Sequence, residues 1–149
     1  MILISHRGNM NGIEKTKENT IEQINLALSK GYDVEVDVWY ENGSLYLGHD
    51  KPEEKVDLEF LQNSKLWCHA KNFSALEYML LYDVQCFWHE RDKCTLTSSG
   101  FMWTYPGEEL TKKSICVMPE EANLSKSDVK NAAVVFSDYI SSYKEIDSE

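Results

Sequence analysis

The chain has 149 residues, 25 of them acidic and 15 basic, for a net charge of −10. Such a surface repels nucleic acid and anionic membranes, and no basic run offsets it, so a phosphate-bearing ligand needs a metal or a few placed cations. The content, 42% hydrophobic and 27% charged, is ordinary for a globular chain large enough to bury a core.

The opening run MILISHRG is too short for a signal peptide or a membrane span. Cys68, Cys86, Cys94 and Cys116 include no C-x-x-C pair, which argues against a zinc knuckle or a thioredoxin-like site. Three of the four lie in apolar, strand-like runs and are expected to be reduced, buried thiols. A cytoplasmic location follows as the expectation. No repeat, low-complexity tract or Pro/Gly-rich linker divides the chain, so residues 1–149 are read as a single domain.

In chain order, ILIS is a short apolar run that reads as a buried strand, followed by the polar loop HRGNMNGIEKTKENT. TIEQINLALSKG carries Ile21, Ile24, Leu26 and Leu28 at mostly helical spacing, with Asn19 or Thr20 as the start cap and Gly31 as the stop. DVEVDVWY alternates Val34, Val36 and Val38 against Glu35, Asp37 and Trp39, the period of a strand. ENGS reads as a hairpin turn and LYLGHD as the return strand. DLEFLQN gives a turn or two of helix, KLWCHAKN a strand, SALEYMLLYD a helix and VQCFWHE a strand. Beyond that, CTLTSSGFMWTYPG, SICVMPE and AVVFSDYI are strand-like, and only LSKSDVKNA offers a further short helix. This order predicts an α/β fold with a mostly parallel sheet. A complete eightfold barrel takes ~250 residues. The expectation is therefore a reduced or distorted TIM-type (β/α) barrel with helices mainly in the first half.

Glu35 and Asp37 share one face of their strand. On a half-buried strand the valines meet the core and the acids meet water. Inside a barrel, near the C-terminal strand ends, the same acids face a site, where two neighbouring carboxylates need a cation; oxygen ligands suit Mg²⁺ or Ca²⁺. His6 and Arg7 follow the first strand, and His49 ends another. Two imidazoles flanking an acidic pair suit acid–base chemistry, and an arginine beside them suits a phosphate oxygen. His89 and Glu90 are adjacent, so strand alternation lets at most one of them face the same site.

The pieces HRG at 6–8, ENT at 18–20, EVDV at 35–38 and HD at 49–50 resemble, in order and rough spacing, the glycerophosphodiester phosphodiesterase family, part of the phospholipase C-like phosphodiesterase superfamily of barrels. Further on, HAKN at 69–72 resembles the family's third strand, MWTY at 102–105 its late Trp-Thr strand, and FSDY at 136–139 its terminal strand ending in an aspartate. The resemblance implies His6 and His49 as the acid–base pair. It implies Arg7 and Lys71 at the phosphate, Trp103 lining the pocket, and Glu35 and Asp37 as metal ligands. Asn19 would support the loop or touch the metal. The family's third carboxylate ligand falls at His69, which suits Mg²⁺ or Ca²⁺ poorly, so recruitment of Glu90 or Glu120 and preference for a transition ion are the alternatives; Mn²⁺ joins the candidate ions.

The function implied is metal-dependent hydrolysis of a small soluble phosphodiester. The alternatives are a non-catalytic phosphate or sugar-phosphate binding module derived from the same family, and a structural domain with solvated acids. The missing late helices leave exposed edges, which keeps a homodimer open.

Overall fold

The computed structural model describes residues 1–148. It is a mixed α/β fold built on a ten-stranded, mostly parallel sheet. β1 (Ile2–His6) lies between β2 (Asp33–Glu41) and the last strand, and all three run parallel. Between β1 and β2, α1 (Ile21–Ser29) starts at Thr20, whose hydroxyl accepts the Gln23 N–H. Its chain reverses at Gly31, with φ +89°.

β2 leads through Asn42 and Gly43, with φ 51° and 75°, into β3 (Ser44–Leu47). Positive φ at both central residues matches the right-handed twist of a two-residue hairpin, and Asn-Gly carries it at least steric cost. β4 (Glu54–Val56) adds a third antiparallel strand beside β3. α2 (Leu58–Leu61) precedes β5 (Leu66–Ala70), which pairs parallel with β2. α3 (Phe73–Leu81), capped by the Asn72 side chain, leads to the two-residue β6 (Cys86–Phe87). β7 (Cys94–Leu96) and β8 (Met102–Thr104) form a second hairpin, and β9 (Ser114–Val117) runs parallel to β8. α4 (Lys126–Val129), closed by a Ser125–Asp128 capping box, returns to β10 (Val134–Ser137), which pairs β9 and β1. A 3₁₀ segment, Ile140–Ser148, ends the described chain.

The helices are not gathered in the first half, contrary to expectation. α3 straddles the midpoint, and α4 and the 3₁₀ segment lie beyond it. The apolar residues of SALEYMLLYD fall across the middle of the chain, and the terminal segment ISSYKEIDS carries too few apolar residues to be read as an element from sequence. β4 was not expected either, because Glu54, Lys55 and Val56 offer no apolar run.

β6, which ends the branch running from β2 through β5, and β7, at one end of the main strand path, share no ladder among the described residues. They meet through single bonds instead: Ser98 N–H to Cys86 O at 2.8 Å, Cys86 N–H to Ser98 Oγ at 2.8 Å, and Thr95 Oγ1 to Trp88 O at 2.9 Å. One apolar cluster takes Ile4, Trp67, Phe87, Trp103, Ile115 and Phe136 from six different strands. On the opposite side of β2, Val34, Val36 and Val38 pack with Ile24 and Ala27 of α1 and Ala75 and Met79 of α3. Both faces of residues 34–38 are thus buried, and the reading of Glu35 and Asp37 as solvated acids is overturned: they are 3% and 0% exposed. Cys68, Cys86 and Cys116 are buried free thiols, while Cys94 is exposed on β7. No helix among the described residues is long and apolar enough to cross a membrane.

Candidate active site

Strand register decides which side chains meet. His6 lies opposite Glu35 across β1 and β2, and Asp37 lies opposite His69 across β2 and β5. β2 is longer than β1, and the edge it shares with β1 at residues 33–35 is taken up by β3 at residues 38–41. β3 runs back along that edge, so the chain leaving Leu47 arrives beside the end of β1. Gly48, with φ +150°, donates to the Asp37 carbonyl at 3.2 Å and turns His49 toward Arg7. A Cβ at Gly48 would stand 2.0 Å from the Lys51 carbonyl oxygen, so glycine is required there.

Arg7 leaves β1 with φ +52°, a conformation non-glycine residues adopt rarely. Its Nε lies 2.9 Å from Asp37 Oδ2, its Nη1 donates to Glu18 Oε2 at 3.3 Å, and its Nη2 donates to His49 Nδ1 at 2.6 Å. Asn19 holds Asp37 from below: its amide donates to Oδ2 at 2.9 Å, and its carbonyl oxygen accepts the Asp37 N–H at 2.9 Å. His49 Nδ1 is 3.3 Å from Asp37 Oδ2, and Lys71 Nζ is 3.7 Å from Asp37 Oδ1. His69 Nδ1 stands 3.2 Å from Asp37 Oδ1 and 3.9 Å from Glu35 Oε1.

His6 is fixed from the other side. Its Nδ1 is 2.8 Å from Asp138 Oδ1 at the end of β10, and its Nε2 is 3.9 Å from Glu35 Oε2. Asn9 donates to both Asp138, at 2.7 Å, and Glu18, at 2.8 Å, tying the β1 loop to β10.

Six of these side chains, His6, Arg7, Glu35, His49, His69 and Lys71, border one cavity of about 470 Å³. Trp103 lies in its floor, 2% exposed, with its ring 4.2 Å from Phe87 and 4.6 Å from Phe136. His89 and Glu90 both border the cavity, which corrects the alternation argument: β6 ends at Phe87, so strand periodicity no longer applies at 89 and 90. Glu120 does not join the acids. It accepts from Ser137 Oγ at 2.7 Å and from the Tyr143 hydroxyl at 3.2 Å.

Electrostatics separate the two acids. Burial, then the neighbouring Asp37 charge, pushes the Glu35 carboxyl up. Asp37 is equally buried, but the imidazoles of His49 and His69 and the Arg7 charge hold it well below the usual carboxylate range. Burial alone would pull His6 down; the bond to Asp138 and the Glu35 charge raise it above 6.5. Asp138 is lowered in turn, its burial outweighed by the contact with His6. Burial and the charge of His69 push His89 down to about 4.

Glu35, Asp37 and His69 each offer a ligand atom, all within 4.8 Å of one another. Glu35 Oε2 and Asp37 Oδ1 are buried without a hydrogen-bond partner. Buried carboxylate oxygens left unpaired are costly unless a cation meets them. The donor set therefore fits a divalent ion.

Asp138, Asn9 and Glu18 carry no role in the sequence reading. FSDY marked Asp138 as a strand end, but its pairing with His6 depends on β10 lying beside β1, a contact across 132 residues. No family model, no curated protein and no solved structure matches the chain.

Proposed function

We propose that this chain hydrolyses small soluble phosphodiesters of the glycerophosphodiester type, using a divalent cation and two histidines. One observation carries the reading: His6, His49, Arg7 and Lys71 border the same cavity as Glu35, and Asp37 lies just behind its wall, 2.9 Å from Arg7 and 3.3 Å from His49. Its volume of about 470 Å³ lies within the range of small-molecule sites. The same reading takes the sheet as a reduced barrel-type scaffold. The apolar cluster drawn from six strands and the Ser98–Cys86 bonds support this. The three buried free thiols support a reducing, cytoplasmic setting.

Glu35, Asp37 and His69 would hold the ion, which when bound neutralises charge on a nonbridging phosphate oxygen. Arg7 and Lys71 add positive charge where the transition state gathers negative charge. Asp138 accepts the His6 Nδ1–H and leaves Nε2 toward Glu35 and the cavity. His6 thus serves as general base, its basicity raised by Asp138. It takes a proton from water or from a substrate hydroxyl next to the phosphate. The new P–O bond forms as the bond to the leaving alkoxide breaks. His49, whose side chain is 44% exposed at the cavity mouth, gives that alkoxide its proton and regains one from solvent. Attack by a neighbouring hydroxyl gives a cyclic phosphate first; attack by water gives the monoester directly.

One observation favours the non-catalytic binder instead. His49 Nδ1 is engaged by Arg7 at 2.6 Å, an arrangement that also suits a static anion cradle. Turnover separates the two readings. Hydrolysis of bis(p-nitrophenyl) phosphate and of a glycerophosphodiester is expected with added divalent ion, and chelator is expected to abolish it. Phosphate binding without turnover under any ion would leave the binder, and undiminished turnover in chelator would remove the metal.

A further inference from the structure

We infer that the site is built for a first-row transition ion such as Mn²⁺, Fe²⁺ or Co²⁺, with His69 Nδ1 as a ligand, rather than for Mg²⁺ or Ca²⁺. The inference rests on the divalent-ion part of the reading above and names the class of ion.

The argument starts from the protons of His69. Its Nε2 lies 3.4 Å from the backbone carbonyl oxygen of His89. A carbonyl only accepts, so that nitrogen carries the N–H, and in the neutral ring Nδ1 carries the lone pair. Nδ1 stands 3.2 Å from Asp37 Oδ1 and 3.9 Å from Glu35 Oε1. Asp37 Oδ1 has no hydrogen-bond partner, and neither has Glu35 Oε2. Lys71 Nζ, at 3.7 Å from Oδ1, is beyond hydrogen-bond reach. Ligand atoms of three side chains therefore converge on one point. Their span of 4.8 Å accommodates metal–ligand bonds of roughly 2.0–2.4 Å.

The ring is also held in plane before any ion arrives. It stacks on Phe87 at 5.1 Å and 9°, and on His89 at 4.5 Å and 14°. The bond from Nε2 to a carbonyl is the outer contact that fixes the tautomer of a metal-bound histidine. An imidazole nitrogen beside two carboxylates raises affinity along the first transition row. Mg²⁺ and Ca²⁺ gain little from it, because they favour oxygen alone.

The test titrates chelator-stripped protein with Mg²⁺, Ca²⁺, Mn²⁺ and Co²⁺ by calorimetry and records the visible absorption of the Co²⁺ form. Co²⁺ is expected to bind one site at least about 100-fold tighter than Mg²⁺. His69→Ala should weaken Co²⁺ by about 100-fold, and His69→Glu should bring Co²⁺ and Mg²⁺ within about tenfold of each other. The wild-type ranking, together with a hyperfine-shifted imidazole N–H resonance in the Co²⁺ protein, needs no variant to fold. Equal affinity for Mg²⁺ and Co²⁺, no binding of either, or full Co²⁺ affinity in His69→Ala overturns the inference. Turnover of bis(p-nitrophenyl) phosphate in Mg²⁺ with equal affinities would sink the ion choice and leave the hydrolase. Tight, selective Co²⁺ binding with no turnover under any ion would do the reverse.

Discussion

Asn19 offers the sharpest check on how Asp37 is held. It is 4% exposed, sits at φ +57°, and makes two hydrogen bonds of 2.9 Å to Asp37, one to the carboxylate and one from the backbone N–H. Asn19→Ala removes both. The bond to a charged acceptor is worth about 1.5–3 kcal/mol, and leaving the buried N–H unmet costs about 1–3 kcal/mol. Alanine at positive φ adds about 1 kcal/mol that asparagine largely avoids. The sum, roughly 3.5–7 kcal/mol, is a large part of the 5–15 kcal/mol typical of a domain. At about 2–4 °C per kcal/mol for a chain of this size, Tm falls by roughly 7–28 °C. Asn19→Gly relieves the backbone strain and should be about 0.5–1 kcal/mol more stable than Asn19→Ala. Urea unfolding of the three proteins measures both differences. A loss below about 1 kcal/mol in Asn19→Ala, or a glycine variant less stable than the alanine one, would refute the reasoning. In whichever variant folds, the loosened carboxylate should also cost about 10- to 100-fold in Mn²⁺ affinity.

The other predictions concern the histidines and their supports. His6→Ala and His49→Ala should each lower turnover by about 10²- to 10⁴-fold with folding intact by circular dichroism; a variant keeping most activity contradicts its assignment. Asp138→Asn removes the carboxylate that raises His6, so the acid limb of the pH–rate profile should move to lower pH, and an unmoved limb would detach Asp138 from His6. The same substitution tests stability against pH. Asp138 is lowered from 3.8 in the folded state, so its contribution is present above about pH 4 and lost as pH falls through the folded value. Urea midpoints of wild type and Asp138→Asn should therefore converge progressively below about pH 4. Gly48→Ala places a methyl against the Lys51 carbonyl, and should cost about 2 kcal/mol or more while lowering turnover through displacement of His49.

Local patterns were legible where neighbours in sequence are neighbours in space. The Val34–Val38 alternation, the Asn42–Gly43 turn and the Thr20 cap all resolve within a few residues. What escaped depends on distant strands. Whether Glu35 and Asp37 meet water or a cavity is decided by the six-strand apolar cluster on their side of β2. The path of His49 depends on β3 borrowing the edge that β1 leaves free, and Asp138 depends on β10 lying against β1. Strand alternation fails at His89 and Glu90 because β6 stops after two residues, a length that no periodicity can mark.

The seam between β6 and β7 has a dynamic consequence. A ladder shares its load over many rungs, whereas here three isolated bonds, from Ser98 and Thr95, keep the two ends together. Segments with few mutual bonds are the first to breathe in a native protein. Breathing there would draw Phe87 off Trp103 and wet the underside of the pocket without melting the rest. The exchange rates of the Cys86 and Ser98 amides would then clock how often the chamber leaks.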